Sequence, residues 1–217
     1  MARPSRKKIA RALLDRHGQT FAEELKIHVE KNTPAPLFQM LVASLLMSTR
    51  ISADAAKQAT KALFKTGWRT PQKMADATWE QRVRVLNRSG YARYDESTSR
   101  MLGDTCGILL EKYAGDLRKL RDAAERDPQQ ERKRLKEFKG IGEVGADIFF
   151  REVQVAWDEL RPFVDQRALE TAERLGLPGD PEQLAKLVEA KDFPRLVAAL
   201  VRTRLAKDGD AVIEAAG

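Results

Sequence analysis

The residues with the clearest chemical potential are one carboxylate and one glycine turn. Asp165 stands in Phe163-Val164-Asp165-Gln166-Arg167, just before a run in which Ala168, Leu169 and Ala172 recur at helical spacing. In that place it suits an ordinary N-cap, because an Asp side chain accepts the free N–H groups at a helix start. It also suits stabilisation of a positive charge developing on a bound substrate. Upstream, a basic helix runs through Leu135-Lys136-Glu137-Phe138-Lys139 into Gly140-Ile141-Gly142, and a second helix follows at Glu143-Val144-Gly145-Ala146-Asp147. Two glycines bracketing one aliphatic residue permit a tight turn, with Ile141 plugging the space between the helices. With no side chains at Gly140 and Gly142, a polyanion's backbone can approach, and the N–H groups opening the second helix suit a phosphate. Taken alone, Gly-x-Gly is weak and common, and an ordinary helix-helix turn is the better reading of it. Glu143 and Asp147, near the start of that second helix, read as partners of its dipole.

These groups need helices to position them. Apolar residues recur at three and four almost throughout, without sustained period-two alternation, so the chain reads as all-α with about ten helices or a few more and negligible strand. The pattern predicts helices over 5–17, 20–31, 36–48, 53–66, 79–88, 95–113, 116–126, 128–138, 143–157, 165–175, 181–190 and 192–206, with a short one opening at Thr70-Pro71. Thr78, with Gln81 three residues on, resembles a capping box, and Asp95 reads as the cap of the longest helix. The tail after Lys207 is expected to fray. No repeat or long linker marks a domain boundary, so lobes must arise from chain path. The expectation is a central block over 36–160, holding the hairpin at 139–145, and a second lobe built from 1–35 and 161–217.

Composition narrows the partners. Among 217 residues, 39 Lys and Arg against 32 Asp and Glu leave a net charge of +7, which favours a polyanion or an anionic surface. Cys106 is the one cysteine, so this chain supplies neither an internal disulfide, nor an all-cysteine zinc site, nor a four-cysteine iron-sulfur cluster. His17 and His28 lie too far apart for a helical metal-ligand pair, and no metal centre is expected. The basic start, MARPSRKKIARALLDRHG, is interrupted by Asp15 and His17 and lacks the apolar run of a signal peptide. The longest apolar stretch, Leu37 to Met47, is too short to span a bilayer. A cytoplasmic protein is the expectation.

Taken together, the hairpin and Asp165, which follows Gly142 by 23 residues and one helix, resemble the helix-hairpin-helix DNA glycosylase superfamily, in its endonuclease III-like branch. In that family an L-P-G-V-G-type hairpin precedes a V-D-x-H/R motif whose aspartate is catalytic. The likeness extends upstream. Pro36-Leu37-Phe38-Gln39-Met40-Leu41-Val42-Ala43-Ser44-Leu45-Leu46 resembles the family's buried helix, Ser48-Thr49-Arg50 its S-x-Q stretch, and Ser89-Gly90-Tyr91-Ala92-Arg93-Tyr94 its I-G-L/F-Y segment. Residues from about 36 to 178, roughly two thirds of the chain, are covered.

The resemblance implies a two-lobed, all-α glycosylase fold and a base-excision enzyme. Such an enzyme flips a damaged or mismatched base out of duplex DNA and cuts its N-glycosidic bond, here with Asp165 as catalytic carboxylate. Lys139, Gly140, Ile141, Gly142, Val144, Gly145, Arg50, Tyr91, Arg93 and Arg167 are the implied DNA-binding positions, with Arg50 and Tyr91 where wedge residues stand in relatives. Strand-cleaving members carry a lysine nucleophile where this chain has Val144, which implies a monofunctional glycosylase in which water attacks the sugar. Lys139, just before the hairpin, is the first candidate among the lysines that could substitute. Other implications are no cofactor and no iron-sulfur cluster, a monovalent cation held by hairpin carbonyls, and a monomer in the cytoplasm, nucleoid-associated if bacterial. The alternative reading is a non-catalytic binder of damaged or bent duplex using the same fold.

Overall fold

The computed structural model describes residues 4–217. Among them the chain forms α1 (Arg6–His17), α2 (Phe21–Glu24), α3 (Pro34–Met47), α4 (Ala53–Lys65), α5 (Pro71–Ala75), α6 (Trp79–Arg88) and α7 (Asp95–Tyr113). There follow α8 (Leu117–Ala123), α9 (Pro128–Leu135), α10 (Glu143–Val153), α11 (Gln166–Arg174), α12 (Pro181–Ala185), α13 (Phe193–Ala206) and α14 (Gly209–Ala216). Three single 3-10 turns complete the secondary structure, and the described residues contain no strand. Two compact units result. One is the continuous segment Leu25–Phe149, and the other combines Met1–Glu24 with Phe150–Gly217, of which the first three residues lie outside those described.

In the continuous unit, α3 is the core element: every residue from Leu37 to Leu46 is buried. A helix apolar on all sides must be enclosed by others, and α4 and α8 pack against it. α4 starts where Ser52 accepts the Ala55 N–H at 3.2 Å, and α6 starts with the capping box of Thr78 and Gln81 fully formed. Arg82, buried on α6, ties three helices together. Its Nη1 donates to the Met74 and Ala77 carbonyls at 3.0 and 2.6 Å, and its Nε to the Ser99 carbonyl at 3.2 Å. Burial holds this guanidinium below the usual arginine range. A buried cation is tolerated because its donors are satisfied by carbonyls.

In the other unit, α13 packs on α1 and α11, while α14 packs on α1. The sequence pattern predicts fraying beyond Lys207, and the structure corrects this. Lys207 takes a left-handed conformation with φ +57°, which ends α13 and turns the chain back. Asp208 accepts Arg16 Nε at 2.6 Å and His17 Nε2 at 2.9 Å, and α14 then buries Val212 and Ala216. The helix predicted over 20–31 is also broken. After α2, Leu25, Ile27 and Val29 are buried while Lys26 and His28 are exposed, an alternation of period two, and Lys26 has φ +56°.

Candidate functional site

The sequence-predicted positions fall in both units, and each set is built locally. In the continuous unit they gather at the C-terminal end of α3. The hairpin forms between α9 and α10, and its geometry separates the roles of its glycines. Gly140 has φ +87°, and a Cβ there would lie 2.6 Å from Met101 Sδ and 3.2 Å from Leu45 Cγ, so it is required by conformation and by packing. Gly142 is exposed, with nothing within 4 Å of a Cβ built on it. Gly145 lets Ile141 seat: a Cβ at 145 would touch the Ile141 side chain at 3.3 Å and Ser48 Oγ at 3.5 Å. Ile141 is buried, as a plug should be, and the Thr105 hydroxyl donates to the Lys139 carbonyl at 3.2 Å.

Tyr91 is a correction. It is fully buried, and its hydroxyl donates to the Leu46 carbonyl at 3.3 Å, so its ring is a pin and not a wedge on the surface. Burial pushes its phenol up from the ordinary tyrosine range. The pin matters nonetheless, because it fastens the loop carrying exposed Arg93 to the helix end that leads into Ser48, Thr49 and exposed Arg50. Arg93 lies over the Tyr94 ring at 5.3 Å. Lys139 is exposed and Val144 half-buried. Glu143 accepts from Lys136 and from Arg132 at 3.0 Å, and those two cations hold its carboxyl below the usual carboxylate range; Asp147 accepts from Arg132 at 2.7 Å. Both carboxylates thus neutralise part of the basic face of α9.

In the other unit, Asp165 is 5% exposed and doubly engaged. Oδ1 accepts the N–H groups of Arg167 and Ala168 at 3.1 and 3.2 Å, which makes it the N-cap of α11. Oδ2 accepts Arg151 Nη1 at 2.9 Å. The segment leading to it is clamped by Gln154, whose amide donates to the Phe163 carbonyl at 3.1 Å and accepts the Phe163 N–H at 3.2 Å. Arg167, the second residue of α11, keeps its side chain exposed. Among the described residues no group of three or more His, Cys, Asp or Glu is placed to hold a metal ion, and burial pushes the Cys106 thiol up to about 12.

No protein-family profile matches the chain, and no curated relative matches it by sequence. Solved structures do match. A trapped endonuclease III–DNA covalent intermediate aligns with TM-score 0.52 at 21% identity, covering 92% of this chain and 85% of that one. A non-covalent endonuclease III–DNA complex aligns with TM-score 0.52 at 20% identity over the same shares. The H. pylori 3-methyladenine DNA glycosylase bound to 1,N6-ethenoadenine aligns with TM-score 0.54 at 17% identity, covering 87% of this chain and 99% of that one. The chain has the helix-hairpin-helix DNA glycosylase fold. On this glycosylase fold the hairpin and the N-capping Asp165 are as the sequence reading expects them locally. What it missed is the C-terminal end of α10, which supplies Arg151 and Glu152, and Gln154 just beyond it. The available signal was an Arg-Glu pair set inside the otherwise apolar run Ile148-Phe149-Phe150 and Val153.

Proposed function

We propose that the chain is a DNA glycosylase acting on a damaged or mismatched base in duplex DNA. The observation that carries this reading is Asp165: on a glycosylase fold, its carboxylate is immobilised by two backbone N–H groups and one guanidinium. A group held in advance of the reaction stabilises developing charge without reorganising. The reaction requires the nucleotide to leave the stack. Water oxygen then bonds to C1′ of the deoxyribose as the C1′–N bond breaks, the base departs with the electron pair, and the proton lost by water ends on the base. Asp165 would face the sugar, whose positive charge peaks in the transition state. Arg50, Arg93, Lys139 and the open Gly142 would bind the phosphate backbone, and Arg167 would add a further contact. A monovalent cation, if bound, would be held by backbone carbonyls of the hairpin at 139–145 and would supply positive charge towards a phosphate. Working as a monomer in the cytoplasm belongs to the same proposal.

Gly142→Leu tests the backbone grip. Open space at this position lets the variant fold, and a neutral side chain blocks a phosphate without adding charge. Affinity for any duplex is expected to fall roughly tenfold in a fluorescence titration, and wild-type affinity to drop steeply with salt. Unchanged binding would remove the hairpin from the interface.

Val144 offers no amine, so water and not the protein is the nucleophile. Borohydride should therefore trap no covalent adduct, and strand breaks should appear only after alkali. Trapping that disappears in Lys139→Ala would instead assign a lyase role to that lysine.

One observation favours the second reading, a non-catalytic binder of damaged duplex: Asp165 Oδ2 already carries the Arg151 ion pair. A carboxylate neutralised by its neighbour stabilises a cationic sugar poorly. Base excision by the wild type separates the two readings.

A further inference from the structure

The ion pair that weakens the catalytic reading is not isolated. Arg151 is buried with two carboxylates: Nη1 bonds Asp165 at 2.9 Å, and Nε lies 3.4 Å from Glu152 Oε1. Glu152 is 2% exposed, and its Oε2 accepts the Ala22 N–H from α2 at 2.8 Å. The guanidinium of Arg151 also faces the Phe21 ring at 5.2 Å, and Arg202 of α13 lies over the same ring at 4.3 Å. Arg202 is itself bonded to Glu24 at 2.6 Å. The groups around Glu152 are therefore Arg151 on its own helix, the Ala22 amide on α2, Arg202 with its partner Glu24, and Asp165 across Arg151. Counted as ionised groups, three carboxylates stand against two guanidiniums.

We infer that Glu152 is a charge-setting and positioning residue for Asp165: by sharing Arg151 with it, Glu152 leaves the buried cluster with one net negative charge available to a cationic sugar. The inference rests on Asp165 being the sugar-facing carboxylate. Its physical basis is that a lone Arg–Asp pair is neutral, whereas a second carboxylate on the same guanidinium restores the field of an anion in a low-dielectric site, where such fields act strongly. A residue behind the reacting group that fixes its orientation and charge commonly matters by tenfold or more, on the order of what outer-shell partners contribute at metal sites. Glu152 makes no claim to touch substrate.

Glu152→Gln keeps the size of the side chain and the acceptor for Ala22 while removing the charge. Single-turnover excision by this variant is expected to slow about tenfold or more with duplex affinity unchanged, and Glu152→Asp, which keeps the charge, to recover much of the rate. Excision by Glu152→Gln at the wild-type rate, alongside loss in Asp165→Asn, would overturn this inference while leaving the glycosylase reading intact.

A second readout needs no activity. Burial pushes the Glu152 carboxyl up. A raised folded pKa favours the wild type over Glu152→Gln at low pH, and this advantage is lost as pH rises from the ordinary glutamate value, about 4.3, through the folded value. If Glu152 is ionised at working pH, the stability difference in urea titrations levels off below pH 7. A difference still falling at pH 8 would mean that the proton stays on Glu152 and would overturn the charge count. Should the variant not fold, titration of carbon-13-labelled glutamate carboxyls in the wild type reads the same quantity.

Discussion

Asp165→Asn is expected to lower single-turnover base excision on the order of 100-fold or more, about 3 kcal/mol of transition-state stabilisation, with duplex binding retained or tighter. The amide can still accept the Arg167 and Ala168 N–H groups through its oxygen, but it then turns its NH2 towards Arg151, a donor facing a donor. The variant should therefore also lose stability, by about 1–3 kcal/mol for a buried donor left short of its acceptor. Glu152 beside the guanidinium limits that loss. In the proposed function, binding rests on Lys, Arg and backbone groups elsewhere, and removing a negative charge near a polyanion reduces repulsion. A melting curve and a binding titration on the same preparation separate lost chemistry from lost fold. Full excision by a folded Asp165→Asn protein would make the residue a helix cap and nothing more.

Arg151→Met is the second large effect, and it acts on stability. Methionine fills much of the arginine's volume, but Asp165 and Glu152 are left as buried carboxylates sharing no cation. Removing one partner of a buried ion pair typically costs about 3–5 kcal/mol, because the charge left behind has lost its solvation and its counter-ion. The midpoint in urea should fall accordingly. Adding Glu152→Gln to Arg151→Met removes one of the stranded charges, so the double variant should be more stable than Arg151→Met alone. A non-zero coupling in that double-mutant cycle is the expected signature of a shared guanidinium, and strict additivity would argue against one.

Much of the molecule is legible in the chain because its local signals are strong. Ser52, Thr70, Thr78 and Asp165 all cap helices as their residue types and positions suggest. α3 reads as a buried helix from its continuous apolar run, and Ile141 as a plug from its place between two glycines. The failures share a cause, which is that long-range partners decide them. α14 has only a short apolar pattern of its own, and it forms because Asp208 is held by Arg16 and His17, nearly two hundred residues earlier in the chain. Tyr91 looks like a surface aromatic until the Leu46 carbonyl is seen to receive its hydroxyl. At 25–29 a period-two pattern too short to stand out is overridden by the helical pattern on either side.

The candidate site shows the same division. Asp165 and the hairpin are visible in sequence because residue type and spacing define them. The guanidinium that engages Asp165 is not, since a buried arginine is recognisable only once its two carboxylates are placed around it. Gly140 and Gly142 look alike in sequence, yet one is fixed by its positive φ and by Met101 and Leu45, while the other is open.

The most direct test of the glycosylase assignment is to incubate wild-type protein with duplexes bearing alkylated, oxidised, deaminated or mismatched bases, and to score alkali-labile sites. The proposal predicts that at least one lesion is converted to an abasic site by the wild type and not by Asp165→Asn. Binding to lesion duplexes without release of any base by the wild type would contradict it and establish the chain as a non-catalytic DNA binder on a glycosylase fold.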